Sequence, residues 1–590
     1  MSLTKVIAQS IAAASATLYQ QSIEPEKIKV EVTNKDHKGD YTVVVFPLLK
    51  ISKKSPEATA EDLGNYLKEN TAFVSNFNVI KGFLNIELSN NFWMNFLSEN
   101  HKNSLFGKGT PKTETIVVEY CGPNTNKPLH LGHVRNMLLG YSLSQLLTFA
   151  GNKVKKVNMY NDRGIAICKS MVAWKRNGNG ETPENSGIKG DHLVGKYYVE
   201  FDKIYKTEIE TLIQQGIPKE DAEKKAPVLL EAQEMLRQWE AGDAETLALW
   251  KQMNDWVYKG FFETYKKIGV DFDKNYYESE TYLLGKKLVE EGLNSGAFYK
   301  RDDGSSWVNL TDKGLDEKVL LRSDGTSVYL TQDLGTAQLR YEDFKMDKSI
   351  YVVANEQDYH FKVLKLTLEK LGKPYAAGIY HLSYGMVDLP TGKMKSREGT
   401  VVDADDLIAD MVATAEAHTK SLGKIDDFSS KEAHTLYNTI GLGALKYFIL
   451  RVDPKKRMLF NPEESIDFHG QTGPFIQYTY ARIQSILRKE NVSVTLPTDY
   501  SFNNSEKEII GLLYQFPMMV EEAAKEFNPS AIANYAYSVA KAYNGFYHNC
   551  PVLKAETETA KHTRLAISAL TAQVIKTALW LLGISAPDKM

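Results

Sequence analysis

The feature that most restricts the fold is a strand–helix–strand unit early in the chain. The β-branched run Thr115–Tyr120 leads into Cys121-Gly122-Pro123, and a helical pattern runs from about Leu131 to Ala150. Gly151 closes that pattern, and a second β-branched run, Lys153–Tyr160, follows at once. Two strands joined by a helix must lie parallel, with a right-handed crossover. A parallel sheet has to be covered by helices on both faces, so the unit predicts an α/β domain with a doubly wound parallel sheet. In such a doubly wound sheet ligands sit at the carboxyl ends of the strands.

The rest of the chain can be ordered around that unit. Residues 1–110 read as a small α+β domain, with strands at Tyr41–Phe46 and Phe77–Leu88 and a helix near Ala60–Glu69. At the start, Leu3, Ile7, Ile11, Ala14 and Leu18 recur at helical spacing, which favours an amphipathic helix over a leader peptide. Residues 111–170 form the first half of the sheet domain. Residues 171–270 are charged and helical and read as an insertion. Residues 271–403 supply the second half, with strands at Ser349–Val353 and Gly378–Tyr384 and a helix at Phe361–Leu371. Residues 404–590 read as helical to the end. Three widely spaced cysteines, Cys121, Cys168 and Cys550, exclude a disulfide framework or a cysteine zinc site and suit a reducing cytosol. No apolar run is long enough to span a membrane.

Two motifs carry chemistry. The first is His130-Leu131-Gly132-His133, at the turn from strand to helix. It places two imidazoles on one face beside backbone amides that favour an anion. The second is Gly392-Lys393-Met394-Lys395-Ser396-Arg397-Glu398-Gly399, a basic loop bounded by glycines downstream of the last strand, suited to the phosphates of ATP.

Together these motifs resemble the H-I-G-H and K-M-S-K-S signatures of class I aminoacyl-tRNA synthetases. Longer matches point to the arginyl family within that class. Val118-Glu119-Tyr120-Cys121-Gly122-Pro123-Asn124 with Lys127-Pro128-Leu129-His130 is similar to its V-E-[FY]-S-x-P-N-x-x-K-P-x-H. Ser323-Asp324-Gly325 through Tyr329 to Asp333, then Gln357-Asp358-Tyr359-His360, Gln477-Tyr478 with Ala481-Arg482, and the closing Leu581-Leu582-Gly583-Ile584 to Met590 match as well. The resemblance implies a Rossmann-type catalytic domain followed by an all-helical anticodon-binding domain, and ligation of L-arginine to tRNA(Arg) through an arginyl-adenylate, with ATP and ATP-borne Mg²⁺, by a monomeric cytosolic enzyme.

Residue by residue, it implies that His130, His133, Lys127, Lys393, Lys395 and Arg397 act on the phosphates. Gly132, Asn136, Gly385, Met386 and Ser396 would line the nucleotide. Glu119, Asn124, Tyr329, Asp333 and Gln357 would hold arginine. A guanidinium is a planar five-donor fork, and carboxylates facing it reject neutral or single-ammonium side chains. No dedicated metal cluster is expected. The sequence also departs from the family. Cys121 and Gly122 stand where serines are usual, and Asn161-Asp162-Arg163-Gly164 replaces G-D-W-G. Ser396 replaces the second lysine of the loop, and Lys127 would compensate by binding the ATP phosphates.

For tRNA, Lys446–Lys489 holds eight basic side chains against four acidic ones, with interleaved aromatics, in a chain whose net charge is -3. The resemblance implies anticodon contacts from Phe475, Tyr478, Tyr547 and Met590. It implies contact of the first domain, through Gly82-Phe83-Leu84-Asn85, with the tRNA elbow. Another class I synthetase or a nucleotidylyltransferase would share H-x-G-H, and a non-catalytic tRNA-binding relative is the third alternative.

Overall fold

The computed structural model of the chain describes residues 3–34, 36–388, 402–421, 428–461, 464, 467, 470–490, 495–497 and 499–590. Five strands form its central sheet: β1 (Thr115–Glu119), β2 (Lys153–Tyr160), β3 (Lys274–Tyr277), β4 (Lys348–Ala354) and β5 (Ile379–Tyr384). All neighbouring pairs are parallel, in the order β5-β4-β1-β2-β3. The chain winds outward through β2 and β3, then returns to the other side of β1 for β4 and β5. This is the doubly wound order, with its switch point between β1 and β4.

Alternate side chains of β1 feed two separate cores. Ile116 and Val118 join the large core that includes helix α1 (Leu131–Phe149). Val117 joins a second core with Leu334 and Ala337 of α2 (Tyr329–Phe344) and Leu364 and Leu368 of α3 (Asp358–Lys370). Burial on both faces is why β1 reads as a continuous apolar run rather than an alternating one.

The first domain is a four-stranded antiparallel sheet backed by helices Leu3–Tyr19, Pro56–Asn70 and Asn90–Asn100. The stretch Phe77–Leu88, read from sequence as one strand, is a hairpin. Val74–Ile80 and Phe83–Leu88 pair across Lys81 and Gly82, both at positive φ (49° and 78°), as a two-residue turn that follows strand twist requires. The opening helix buries Leu3, Ile7, Ile11 and Ala14 as its spacing predicts, but Leu18 is exposed.

Six helices from Ile165 to Ile268 form the insertion. A small antiparallel sheet, Tyr299–Lys300, Ser306–Val308 and Lys318–Leu321, was not visible in the sequence pattern because its strands are only two to four residues long. Beyond Ala404 the elements among the described residues are helices, except that Met458–Leu459 pairs in parallel with Val387–Asp388. No helix among them is long and apolar enough to cross a membrane.

Candidate active site

β1 ends at Glu119, and the chain turns sharply into the H-x-G-H segment. Cys121 and Gly122 both lie in the left-handed region, at φ 79° and 56°. Their amides donate to the side-chain oxygens of Asn136 (2.6 Å) and Asn158 (3.1 Å). A non-glycine residue held left-handed stores strain that surrounding contacts must hold in place. The Cys121 Sγ lies 3.4 Å from the Tyr265 hydroxyl, inside the protein rather than toward a ligand.

His130 is the N-cap of α1. The Gly132 N–H donates to His130 Nδ1 and the His130 N–H donates to His133 Nδ1, both at 3.1 Å. A backbone N–H can only donate, so both Nδ1 atoms are acceptors and the ring proton of each neutral imidazole sits on Nε2. Burial, with Lys127 nearby, pushes His130 down to about 4. Burial and the two neighbouring basic groups push His133 well below its usual range. A Cβ on Gly132 would come within 3.0 Å of the His130 ring, so the glycine permits this cap. The two rings therefore offer Nε2–H donors at a helix N-terminus without carrying charge. We expect ¹⁵N spectra of the labelled imidazoles to show neutral Nε2–H tautomers down to pH 5. An imidazolium pattern from either ring at pH 6 would contradict this.

The residues expected around arginine all lie at the carboxyl edge of the sheet. Asn124 and Gln357 are exposed there. Tyr329 begins α2 and is 77% exposed, so it is not a core residue. Asp333, one turn on, accepts from His360 Nε2 at 2.5 Å. Glu119 forms an ion pair with Arg340 of the same helix, and burial pushes its carboxyl up despite that pairing.

Glu278, which the sequence reading passed over, stands directly after β3. Burial raises its carboxyl to about 7, with the nearby charges of Asp162 and Asp333 adding to the shift and Arg163 opposing it. No hydrogen bond or ion pair reaches this carboxylate among the described residues. Its neighbour Ser279 is fixed by Asp162 through both its N–H (2.8 Å) and its hydroxyl (2.7 Å). The sequence signal was faint: one acid at a strand end in Tyr276-Tyr277-Glu278-Ser279.

The altered Asn161-Asp162-Arg163-Gly164 segment is held by structural contacts. Asp162 also accepts from Tyr258 (2.9 Å) and, at its carbonyl, from Trp250 (2.7 Å). Arg163 pairs with Glu240 at 2.7 Å, with its guanidinium 4.0 Å from the Tyr282 ring centre and 5.3 Å from that of Trp239. It braces the insertion.

On the nucleotide side, Asn136 is buried. Its amide donates to the Val352 carbonyl (2.8 Å) and the Tyr384 hydroxyl (3.3 Å) while its oxygen holds Cys121. Asn136 thus ties together the ends of β1, β4 and β5, which engages the groups expected to meet ATP. Gly385 and Met386 are likewise fastened, to Pro454 (2.9 Å) and Met458 (3.1 Å). Lys393, Lys395, Ser396 and Arg397 lie outside the described residues. Just past them, Val402 and Ala404 bond to Leu131 and Leu129, each at 3.0 Å, so the chain returns alongside the H-x-G-H turn. Nearby, the donor atoms of Asp191, His192 and Asp405 lie close enough together to hold an ion. However, Lys189 and Lys267 already neutralise them, which makes the group an ion-pair clamp.

The basic stretch Lys446–Lys489 is only partly a surface. Lys446 is buried, with its ammonium on the Gly583 carbonyl, Arg457 pairs with Asp388, and Arg451 donates to Gln471. Lys455, Lys456, Arg457, Arg488 and Lys489 are exposed. Arg482 reaches over the rings of Tyr478 (4.9 Å) and Tyr547 (5.6 Å) and donates to Asn544 (2.8 Å). Phe475 contacts Tyr537, which sequence reasoning had not singled out. Tyr480 and Arg488 fasten Asp588 against this helix, which keeps the tail ending at Met590 nearby.

Comparison with known proteins agrees with this arrangement. Three family models match: the arginyl tRNA synthetase N-terminal domain over residues 1–88, the catalytic domain of class I (R) tRNA synthetases over 95–461, and the DALR anticodon binding domain over 476–590. An arginine–tRNA ligase of Bacteroides thetaiotaomicron is 54% identical over 99% of both chains. That of Flavobacterium psychrophilum is 53% identical over the whole of both. The arginyl-tRNA synthetase structure from Thermus thermophilus superposes over all of both chains with a TM-score of 0.81 at 25% identity. A parallel sheet carrying a histidine-capped helix at its switch point, matched end to end by these relatives, settles the family: the chain belongs to the class I arginyl-tRNA synthetases.

Proposed function

We propose that the chain ligates L-arginine to tRNA(Arg), with ATP activating the arginine carboxylate as an adenylate before transfer. The observation that carries this reading is the placement of carboxylates and imidazoles on one sheet edge. α1, which begins with the H-x-G-H turn, is tied to the end of β1 through Asn136. α2, which carries Tyr329 and Asp333, is tied to the same strand end through the Arg340–Glu119 pair.

In this reading Asp333, Glu278 and Tyr329 receive the guanidinium fork, which takes up the charge of the unpaired Glu278 carboxylate. Glu119 holds α2 in place through Arg340 and adds negative potential behind the site. Asn124 and Gln357 take the α-amino and α-carboxylate groups. The Nε2–H groups of His130 and His133 donate to phosphate oxygens as charge develops there, with Lys127 and the α1 N-terminus adding positive potential. Gly132 keeps the His130 cap in shape. Lys393, Lys395, Ser396 and Arg397 complete the phosphate site, and the strand end at Gly385 and Met386 faces adenine. Mg²⁺ comes with ATP, since the Asp191–His192–Asp405 group is filled by lysines.

Phe475, Tyr478, Tyr547 and Met590 meet the anticodon loop, where aromatic rings stack unpaired bases and Arg482 adds charge. The first domain meets the tRNA elbow. The unit boundaries proposed for these roles fall near residues 110, 170, 270 and 403, in a cytosolic monomer.

Pyrophosphate exchange into ATP tests the reading. Exchange is expected with arginine alone among the amino acids and only with tRNA present, and Lys127→Ala should slow it about a hundredfold. Exchange with a different amino acid, or with none, would overturn the assignment; an unchanged Lys127→Ala rate would remove that residue from the phosphate site.

A further inference from the structure

His360 is the last residue of the Gln357-Asp358-Tyr359-His360 motif and has no role in the reading above. It lies on α3, and its Nε2 is 2.5 Å from Asp333 Oδ2 on α2. An ionised carboxylate only accepts, so Nε2 carries a proton and donates. The charge of the pair then depends on Nδ1. With Nδ1 bare, the imidazole is neutral and Asp333 presents a full negative charge, oriented by the hydrogen bond. With Nδ1 protonated, the pair is neutral and offers a guanidinium little.

We propose that His360 is the positioning residue that aims Asp333 at the substrate guanidinium, and that arginine binding expels a proton from the His360–Asp333 pair to solvent. This rests on the reading of Asp333 as a guanidinium ligand.

The surroundings support a titrating pair. The hydrogen bond to Asp333 raises His360 above the usual imidazole value, with burial opposing it. On β5, His381 repels a second positive charge but is itself held by Asp358 at 3.1 Å and by the Val353 carbonyl. Behind Asp333 stand Tyr351 of β4 and the Glu119–Arg340 pair, whose charges largely cancel. Glu278, across the site, bears on Asp333 from just beyond β3. In the free site the proton on His360 favours the carboxylate-rich edge. An arriving guanidinium supplies the same charge and makes that proton redundant. Linkage is reciprocal: if arginine lowers the proton affinity of His360, protonation of His360 weakens arginine binding by the same factor.

The sign follows. Below the folded-state value of His360, arginine must displace the proton, so the arginine KM rises as pH falls, approaching tenfold per unit for each proton released. Glu278 adds a release of its own near pH 7. His360→Gln keeps an N–H donor for Asp333 but cannot take a proton.

The test measures arginine KM between pH 5.5 and 8.5, and proton release on arginine binding in two buffers of different ionisation enthalpy. It uses the full-length chain with tRNA and ATP for KM, and with tRNA for calorimetry. At pH 8.5, His360→Gln should match the wild type within a few-fold, whereas His360→Ala should show a raised KM at every pH. At pH 6, His360→Gln should bind arginine several-fold better than the wild type and release up to one proton fewer. If His360→Gln binds arginine with the wild-type pH slope and proton count, the pair does not titrate and the proposal fails. If it is as impaired at pH 8.5 as His360→Ala, aiming through a donor is refuted. If the wild type shows no arginine binding at any pH, the guanidinium reading itself has failed.

Discussion

Glu278→Gln should lower kcat/KM for arginine by roughly 30- to 5000-fold, with the KM for ATP within a few-fold of wild type. The substitution is isosteric and keeps an oxygen acceptor, but it removes the charge that a buried guanidinium demands. Removing one member of such a pair costs about 2–5 kcal/mol, and every 1.4 kcal/mol is tenfold. Glu278 suits this role because no protein cation occupies it, whereas Arg340 already holds Glu119. The same contrast makes Glu119→Gln a test of structure more than of contact, with a smaller effect on arginine affinity. Steady-state kinetics with arginine and ATP varied in turn separate the two. A Glu278→Gln enzyme with a wild-type arginine KM would place the guanidinium elsewhere.

That contrast also shows what the sequence could and could not reveal. The parallel sheet and its switch point were legible because β1, α1 and β2 follow one another closely, and their periods of two and 3.6 leave little choice of layer. The H-x-G-H turn was legible for the same reason: its residues are local, and the cap is made within four positions. Charge pairing was not local. Arg340 lies far along the chain from Glu119, and nothing in either segment announces that one will neutralise the other. The guanidinium acids could therefore be named as candidates, but not sorted into those engaged by the fold and those left for a substrate. The bonds of Asn136 were hidden in the same way: nothing in the sequence shows that three strand ends converge on its amide. The basic stretch from Lys446 was legible only in part. Composition counts charges, while burial and partners decide which of them face outward. Lys446, on a backbone carbonyl, is lost to that surface, whereas Lys455, Lys456, Arg457, Arg488 and Lys489 stay exposed and Arg482 lies over its tyrosines.

Arg340→Met carries the largest expected effect on stability. Arg340 is 1% exposed and packs near the rings of Tyr276 (5.3 Å) and Tyr351 (5.2 Å) while pairing with Glu119. Methionine of similar length would fill the space but leave a buried carboxylate without its cation. Breaking a buried pair from one side costs about 3–5 kcal/mol, whereas replacing both members by uncharged groups can be close to neutral. The single variant should therefore unfold at markedly lower denaturant than the wild type, and Glu119→Gln with Arg340→Met should recover much of the loss. The deficit also has a pH signature. Without Arg340, burial and the charge of Asp333 act on Glu119 unopposed, so its folded-state value rises further above the unfolded one, and folding takes up a proton. Such a group destabilises the fold increasingly as pH rises above the unfolded carboxyl value near 4.3, so the deficit should be largest at pH 8 and shrink toward pH 5. Because the pair ties α2 to β1, the arginine KM should rise in the single variant and fall back in the double. A single variant as stable as wild type at pH 8, or a double variant no better than the single, would mean that Arg340 does not hold α2 through Glu119.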